Sequence, residues 1–69
     1  MAQYFYNDGG MFWETLNSKT LLGAKREAKS IVGNGYKIEI AEIMGDDEYS
    51  KRYETVSILY PYAKKWTNI

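Results

Sequence analysis

The sequence predicts an α+β fold, in which a single helix packs on one face of a small antiparallel sheet and the elements follow the order ββαβββ. One segment has helical periodicity and ends at Gly33-Asn34-Gly35, and the segments on either side of it are β-prone with alternating hydrophobicity. A chain of 69 residues also forms only one small hydrophobic core. Residues 1–69 are therefore predicted to form a single domain.

The first predicted elements are the two strands of a hairpin, residues 3–6 and 11–16. They flank Asn7-Asp8-Gly9-Gly10, in which Asp-Gly and Gly-Gly provide the positive-φ positions that tight turns require. The two runs are therefore expected to pair in antiparallel fashion.

The hairpin is unusually rich in aromatic residues. Packing within the fold is the favoured role of Phe5, Phe12 and Trp13, and a platform that stacks nucleic-acid bases is the alternative. Tyr4 and Tyr6 have the opposite parity to Phe5. An inward Phe5 would leave both tyrosines exposed as a candidate binding patch.

Residues 20–35, TLLGAKREAKSIVGNG, carry the strongest pattern and are predicted to form a helix. Asn17 or Ser18 is the predicted N-cap. Gly33-Asn34-Gly35 is the predicted stop, because Gly and Asn tolerate the left-handed backbone of a C-cap. On a wheel of about 100° per residue, five apolar side chains form the predicted core stripe: Leu21, Ala24, Ala28, Ile31 and Val32.

The strand predicted after the helix covers residues 36–44, where Tyr36, Ile38 and Ile40 alternate with polar residues. The alternation changes phase after Ile40. A bulge or a strand end is therefore predicted near Ala41.

Two more strands are predicted at the C-terminal end. Residues 53–60 form the first, with Val56, Ile58 and Tyr60 on one face. Pro61 interrupts this pattern, so residues 64–68 are predicted to return as a short strand.

Composition argues against several classes of function. Nine basic and nine acidic residues balance to a formal charge of zero, which argues against a general polyanion-binding protein. The chain has no Cys and no His, so it lacks the usual zinc ligands and the commonest general base. Asp46-Asp47-Glu48 lacks the spacing of an EF-hand loop and is interpreted as a solvated turn. We therefore expect no metal, no cofactor and no enzymatic activity.

The sequence also bears on location. No apolar run resembles a signal peptide or approaches the length of a membrane span. The absence of Cys is compatible with a reducing cytoplasm. We expect a cytoplasmic protein that is not associated with a membrane.

Basic residues gather on one flank of the predicted helix. Lys25, Arg26 and Lys29 span about 100° of the wheel, and Leu22 lies within their arc. Such a flank is commonly no more than a solvated surface. The exposed Leu22 favours a second interpretation, in which the flank contacts an acidic protein or a phosphate backbone.

A second basic cluster, Lys64-Lys65, precedes Trp66, which is interpreted as a lid over the edge of the core. Together with the helix flank and the tyrosines of the first strand, this cluster completes the set of candidate binding residues: Leu22, Lys25, Arg26, Lys29, Lys64, Lys65, Tyr4 and Tyr6.

The chain thus presents a β-hairpin, the helix TLLGAKREAKSI, the Ile-rich strand YKIEIAEI, a further strand and a final AKKW. This arrangement resembles the small phage-encoded type I-F anti-CRISPR inhibitors, which carry a similar Leu-x-x-Ala-Lys-Arg-x-Ala helix and a late Lys/Arg-Trp strand. The longer aromatic hairpin and the acidic insertion before Tyr53 depart from that family. The matching residues are Leu21, Ala24, Lys25, Arg26, Ala28, Lys65 and Trp66.

The resemblance implies a phage protein that binds a bacterial host defence complex and blocks its access to nucleic acid. It also implies that Lys25, Arg26, Lys65 and Lys29 reach surfaces that normally hold guide or target strands. We therefore expect a non-enzymatic inhibitor that acts by protein–protein contact in the cytoplasm of the bacterial host cell.

Two alternatives remain open. One is a small nucleic-acid-binding or regulatory module that uses the same basic flank. The other is a self-associating structural module, in which an exposed sheet edge pairs two copies into a homodimer.

Overall fold

The computed structural model describes residues 3–10, 12–44 and 52–69. It contains β1 (Tyr4–Asn7), β2 (Glu14–Thr15), α1 (Leu21–Val32), β3 (Ile38–Met44), β4 (Arg52–Leu59) and β5 (Thr67–Asn68). The strands form one antiparallel sheet in the order β2-β1-β3-β4-β5, and α1 packs on one face. The predicted α+β class and the order ββαβββ are confirmed. The predicted turn at Asp46-Asp47-Glu48 lies outside the described residues.

The hairpin of β1 and β2 forms as predicted, although β2 has only two residues. The Asn7 side chain organises the intervening loop. Its amide nitrogen donates to the carbonyls of Gly10 at 2.8 Å and Phe12 at 3.3 Å, and its Oδ1 accepts from the Gly9 N–H. These bonds tie the loop to its own backbone, and Phe12 is 78% exposed. The prediction that Phe12 packs within the fold is wrong.

The hydrophobic core lies between α1 and the sheet. Ala24 and Ala28 are fully buried and allow the helix to approach the strands closely. Trp66 is half-buried and packs against this core, as predicted. The buried members of the core are Tyr4, Leu16, Ala24, Ala28, Ile38, Ile40 and Leu59.

The opposite face of the sheet carries a second cluster, made of aromatic rings. Phe5 and Tyr53 meet edge to face with 5.0 Å between ring centroids, and Trp13 stacks on Tyr53 at 5.6 Å. Phe5 therefore lies on the side away from α1, and Tyr4 and Tyr6 face the core. The prediction that these two tyrosines form an exposed patch is wrong, because Phe5 is buried by other aromatic rings rather than by the helix.

The helix begins two or three residues later than a cap at Ser18 or Asn17 would place it. Thr20 is the N-cap, since its backbone is extended and its hydroxyl accepts from the N–H three residues on at 3.1 Å. The helix ends at the predicted stop. There Gly33 adopts a φ of 89°, and its N–H donates to the Lys29 carbonyl at 2.8 Å.

Four of the five predicted stripe residues face the core, and Ile31 does not. Ala28 lies at the centre of the buried face, and Val32 is about 40° from it on the wheel while Ile31 is about 60° away on the other side. At that margin, in the last turn, Ile31 is 56% exposed. The prediction that Ile31 belongs to the core is therefore wrong.

The phase change near Ala41 is a bulge, as predicted. Ile40 pairs with Ser57 and Ala41 pairs with Thr55, so Val56 of β4 is the extra residue.

The bulge changes which residues of β4 reach the core. Leu59 and Ser57 are buried, and Val56 packs beside them although it is adjacent to Ser57 in sequence. Successive side chains of a strand point to opposite faces, so Ile58 lies on the face opposite to Leu59. Tyr60 lies beyond the end of the strand and is exposed. The prediction that Val56, Ile58 and Tyr60 share one face is wrong, because the extra residue breaks the alternation.

Candidate functional site

The basic flank of α1 has an exposed apolar residue at its centre. Leu22 is 60% exposed, and Arg26 and Lys29 are exposed as well. Their spacing of four and three residues places all three on one side of the helix. Leu22, Arg26 and Lys29 are called the basic helix surface below.

Lys25 lies at the inner margin of this surface and is held by the C-terminal strand. Its Nζ donates to Asn68 Oδ1 at 2.8 Å and lies 5.9 Å from the centroid of the Trp66 ring. The same Asn68 oxygen accepts from the buried Ser57 hydroxyl at 2.9 Å. Lys25 therefore contributes positive charge to the margin, but its ammonium already has partners within the chain.

The opposite flank of α1 is tied to the segment that precedes the helix. The Glu27 carboxylate accepts the backbone N–H of Asn17 at 3.0 Å and that of Ser18 at 2.9 Å, and it also accepts the Ser18 hydroxyl at 2.9 Å. These bonds hold the pKa of Glu27 below its ordinary value, with the Asn17 N–H as the largest cause. Asn17 and Ser18 are thus bound by a helix side chain instead of capping the helix.

The positive charge of the basic helix surface is not neutralised within the described part of the chain. Among residues 3–10, 12–44 and 52–69, one ion pair is present, between Lys37 and Glu39 at 3.9 Å. Over those same residues, no carboxylate lies within ion-pair distance of Arg26 or Lys29. The flank therefore presents a local excess of positive charge on a chain of zero formal charge.

The second basic cluster adjoins this flank. Lys64 and Lys65 are both exposed, in the segment that leads into β5. They immediately precede Trp66, whose ring lies beneath the Lys25 ammonium. The structure thus brings the C-terminal cluster and the inner margin of the helix flank together.

Tyr4 and Tyr6 are not part of this surface. Tyr4 is buried, and Glu42 is its cross-strand partner on β3. Burial raises the pKa of Tyr4, and the neighbouring Glu42 carboxylate raises it further. Tyr6 is half-buried and packs against the core.

Sequence reasoning missed a cleft of about 300 Å³ at the C-terminal end of α1. Tyr36, Tyr60, Tyr62 and Lys29 line it, together with the turn 33–35. It is called the tyrosine cleft below. The signal in the sequence is the Tyr-Pro-Tyr of residues 60–62, where the pattern predicts only the end of a strand at Tyr60 and a turn after it.

Two further observations concern metals and membranes. Within the part of the chain that the structure describes, no three His, Cys, Asp or Glu side chains are grouped so as to hold a metal ion. Over the same residues, no helix combines the length and the apolar character that crossing a membrane requires.

Comparisons of this chain with protein-family models, with curated proteins and with solved structures found no match.

Proposed function

We propose that this protein is a non-enzymatic inhibitor that binds a bacterial host defence protein or complex by protein–protein contact, and that the basic helix surface is its contact surface. The observation that carries the proposal is the exposure of Leu22. A large apolar side chain is exposed on the solvent side of the helix, with Arg26 and Lys29 beside it.

Such an arrangement suits an acidic protein partner. The partner would gain apolar contact at Leu22, and contacts that exclude water at the centre of an interface contribute most of the binding free energy. Arg26 and Lys29 would meet acidic groups around that centre, which favours encounter and fixes orientation. The resemblance to type I-F anti-CRISPR inhibitors suggests a defence complex whose nucleic-acid channel is the target.

The helix offers a matched control for testing this surface. Leu22 and Ile31 are exposed apolar residues of the same helix, 60% and 56% exposed. They are nine positions apart and therefore about 180° apart on the wheel. Leu22→Asp places a charge at the centre of the proposed contact, whereas Ile31→Asp places the same charge on the opposite side.

The assay is phage plaque formation on a host with an active type I-F system, in cells that express the wild type or a variant. Wild type should restore plaques, Leu22→Asp with or without Arg26→Glu should fail to restore them, and Ile31→Asp should behave as wild type. Melting curves of the purified variants must first establish that each is folded. Equal loss with both aspartate variants would contradict the choice of surface. If the wild type does not restore plaques, a type I-F complex is not the target. Capture of partners from bacterial lysate, identified by mass spectrometry, would then supply another candidate.

A further inference from the structure

A strained tyrosine stands at the edge of the tyrosine cleft. The chain turns at residues 60–63, where the Ala63 N–H donates to the Tyr60 carbonyl at 3.0 Å. Tyr62 is the second central residue of this turn, after Pro61, and its φ is 63°. A turn that has a positive φ at its second central residue normally has Gly at that position. Bulky residues seldom adopt positive φ, and such strain is concentrated at ligand sites.

The strained backbone places the Tyr62 ring over the turn that ends α1. A Cβ atom at Gly35 would lie 3.3 Å from the Tyr62 hydroxyl oxygen, and Gly35 itself has a φ of 88°. Even so, Tyr62 is 87% exposed. The hydroxyl end of the ring thus lies against Gly35, and most of the ring surface is open to solvent.

The other walls of the cleft combine aromatic rings with positive charge. Tyr36 and Tyr60 are exposed, and Lys29 reaches the cleft from the last turn of α1. Lys37 does not line the cleft; its Nζ lies 5.9 Å from the centroid of the Tyr60 ring and 3.9 Å from the Glu39 carboxylate. None of the described residues that line the cleft is acidic. The cleft therefore complements an anionic ligand that has a flat ring.

We propose that the tyrosine cleft binds one nucleotide unit of a single-stranded nucleic acid. The base stacks on the exposed tyrosine rings, and a neighbouring phosphate lies near Lys29. Aromatic side chains interleaved with basic residues bind single strands in this way, with little dependence on sequence. A volume of about 300 Å³ is at the lower end of the range for ligand pockets and suits one unit of a chain better than a large ligand.

This binding does not depend on the contact proposed for Leu22. An acidic peptide would pair with Lys29 but would leave three exposed tyrosines without planar partners, so it accounts for fewer of the observations. A quaternary or methylated ammonium ligand, which aromatic rings also attract, is disfavoured by the positive charge of Lys29.

The variant Tyr62→Gly tests the proposal without endangering the fold. It removes the ring, and Gly adopts positive φ without the strain that Tyr bears. The matched control is Phe12→Gly, which removes another highly exposed aromatic ring that is not part of the cleft. Lys29 belongs to both proposed surfaces and is therefore left unchanged.

The probe is an oligothymidylate of about ten nucleotides in about 50 mM salt, titrated into ¹⁵N-labelled protein, with affinity taken from fluorescence anisotropy of a labelled oligonucleotide. Amide shifts should change around residues 33–36 and 60–63. Tyr62→Gly should weaken binding by about five- to a hundred-fold, the range expected when one stacked aromatic is lost. Phe12→Gly should leave the affinity within about two-fold of wild type.

Three outcomes would overturn the proposal. They are the absence of shift changes at millimolar oligonucleotide, binding that Tyr62→Gly leaves unchanged, and tighter binding of an oligoglutamate peptide to the same residues. The test of the tyrosine cleft is separate from the test of the basic helix surface, because Tyr62→Gly should leave the inhibition that depends on Leu22 intact.

Discussion

Replacing Leu16 and Leu22 by alanine, one at a time, compares the same substitution at a buried and at an exposed position. Leu16 is fully buried in the core cluster, whereas Leu22 is 60% exposed on the helix. The proposed function requires that Leu22 contribute little to folding. The pair of variants tests that requirement directly.

The expected magnitudes differ by several kcal/mol. A Leu→Ala change at a fully buried site costs about 2–5 kcal/mol, because transfer free energy is lost and a cavity remains. At about 0.05–0.15 kcal/mol per residue, this chain has a total stability of roughly 3–10 kcal/mol. Leu16→Ala should therefore remove a large part of it. Leu22→Ala should change stability by less than about 0.5 kcal/mol, since an exposed site loses little burial and alanine has the higher helix propensity.

Urea unfolding followed by far-ultraviolet circular dichroism measures both values, and thermal melting gives a second estimate. At about 4–8 °C per kcal/mol for a domain of this size, Leu16→Ala should lower the melting temperature by about 8 °C or more. A loss above about 1 kcal/mol in Leu22→Ala would mean that Leu22 is packed in solution, and the reasoning behind the basic helix surface would then be refuted. A loss below about 1 kcal/mol in Leu16→Ala would contradict the core described above.

Two further predictions concern the side chains that fasten the helix. The pKa of Glu27 is lower in the folded chain than its ordinary value of 4.5, so its contribution to stability is present above that pH and is lost as the pH falls. Between about pH 6 and about pH 3, the Glu27→Gln variant should therefore lose less stability than the wild type, as measured by urea unfolding. An equal loss of stability in the two proteins would contradict the hydrogen bonds assigned to the carboxylate. Asn68→Ala removes the acceptor shared by Lys25 and Ser57 and should cost about 1 kcal/mol, measured at neutral pH by urea unfolding. An unchanged midpoint would mean that this acceptor does not stabilise β5.

The helix could be predicted closely because its signals are local. The two buried alanines, the basic flank and the stop at Gly33 all follow from periodicity and backbone chemistry within one segment. The start was misplaced because Asn17 and Ser18 are good caps by residue type. Their backbone N–H groups are instead bound by Glu27, a contact between residues nine and ten positions apart.

The faces of the strands were harder to predict, because large apolar side chains pack on both faces of this sheet. Alternation in an aromatic run distinguishes two faces but does not say which one the helix covers. Phe5 is buried, as expected, yet by Trp13 and Tyr53 rather than by α1. In β4 a single extra residue, Val56, reversed the assignment of everything after it.

The tyrosine cleft could not be predicted for a related reason. Tyr36 and Tyr62 are far apart in sequence and meet only because β3 and β4 are adjacent in the sheet. A turn was predicted at Pro61, but no local rule places a tyrosine at positive φ in it.

Lys25 and Glu27 are two residues apart, and they hold the helix at opposite edges of the sheet. One reaches β5, and the other reaches the segment that follows β2. The outward side of the helix is thus preorganised, and a partner that binds there has little backbone freedom to remove on association. The two attachments also respond to different conditions. Protonation of the Glu27 carboxylate at low pH weakens its hydrogen bonds to Asn17 and Ser18, whereas the bond from Lys25 to Asn68 contains no carboxylate. Lowering the pH should therefore release the helix from the segment after β2 and leave its contact with β5 in place.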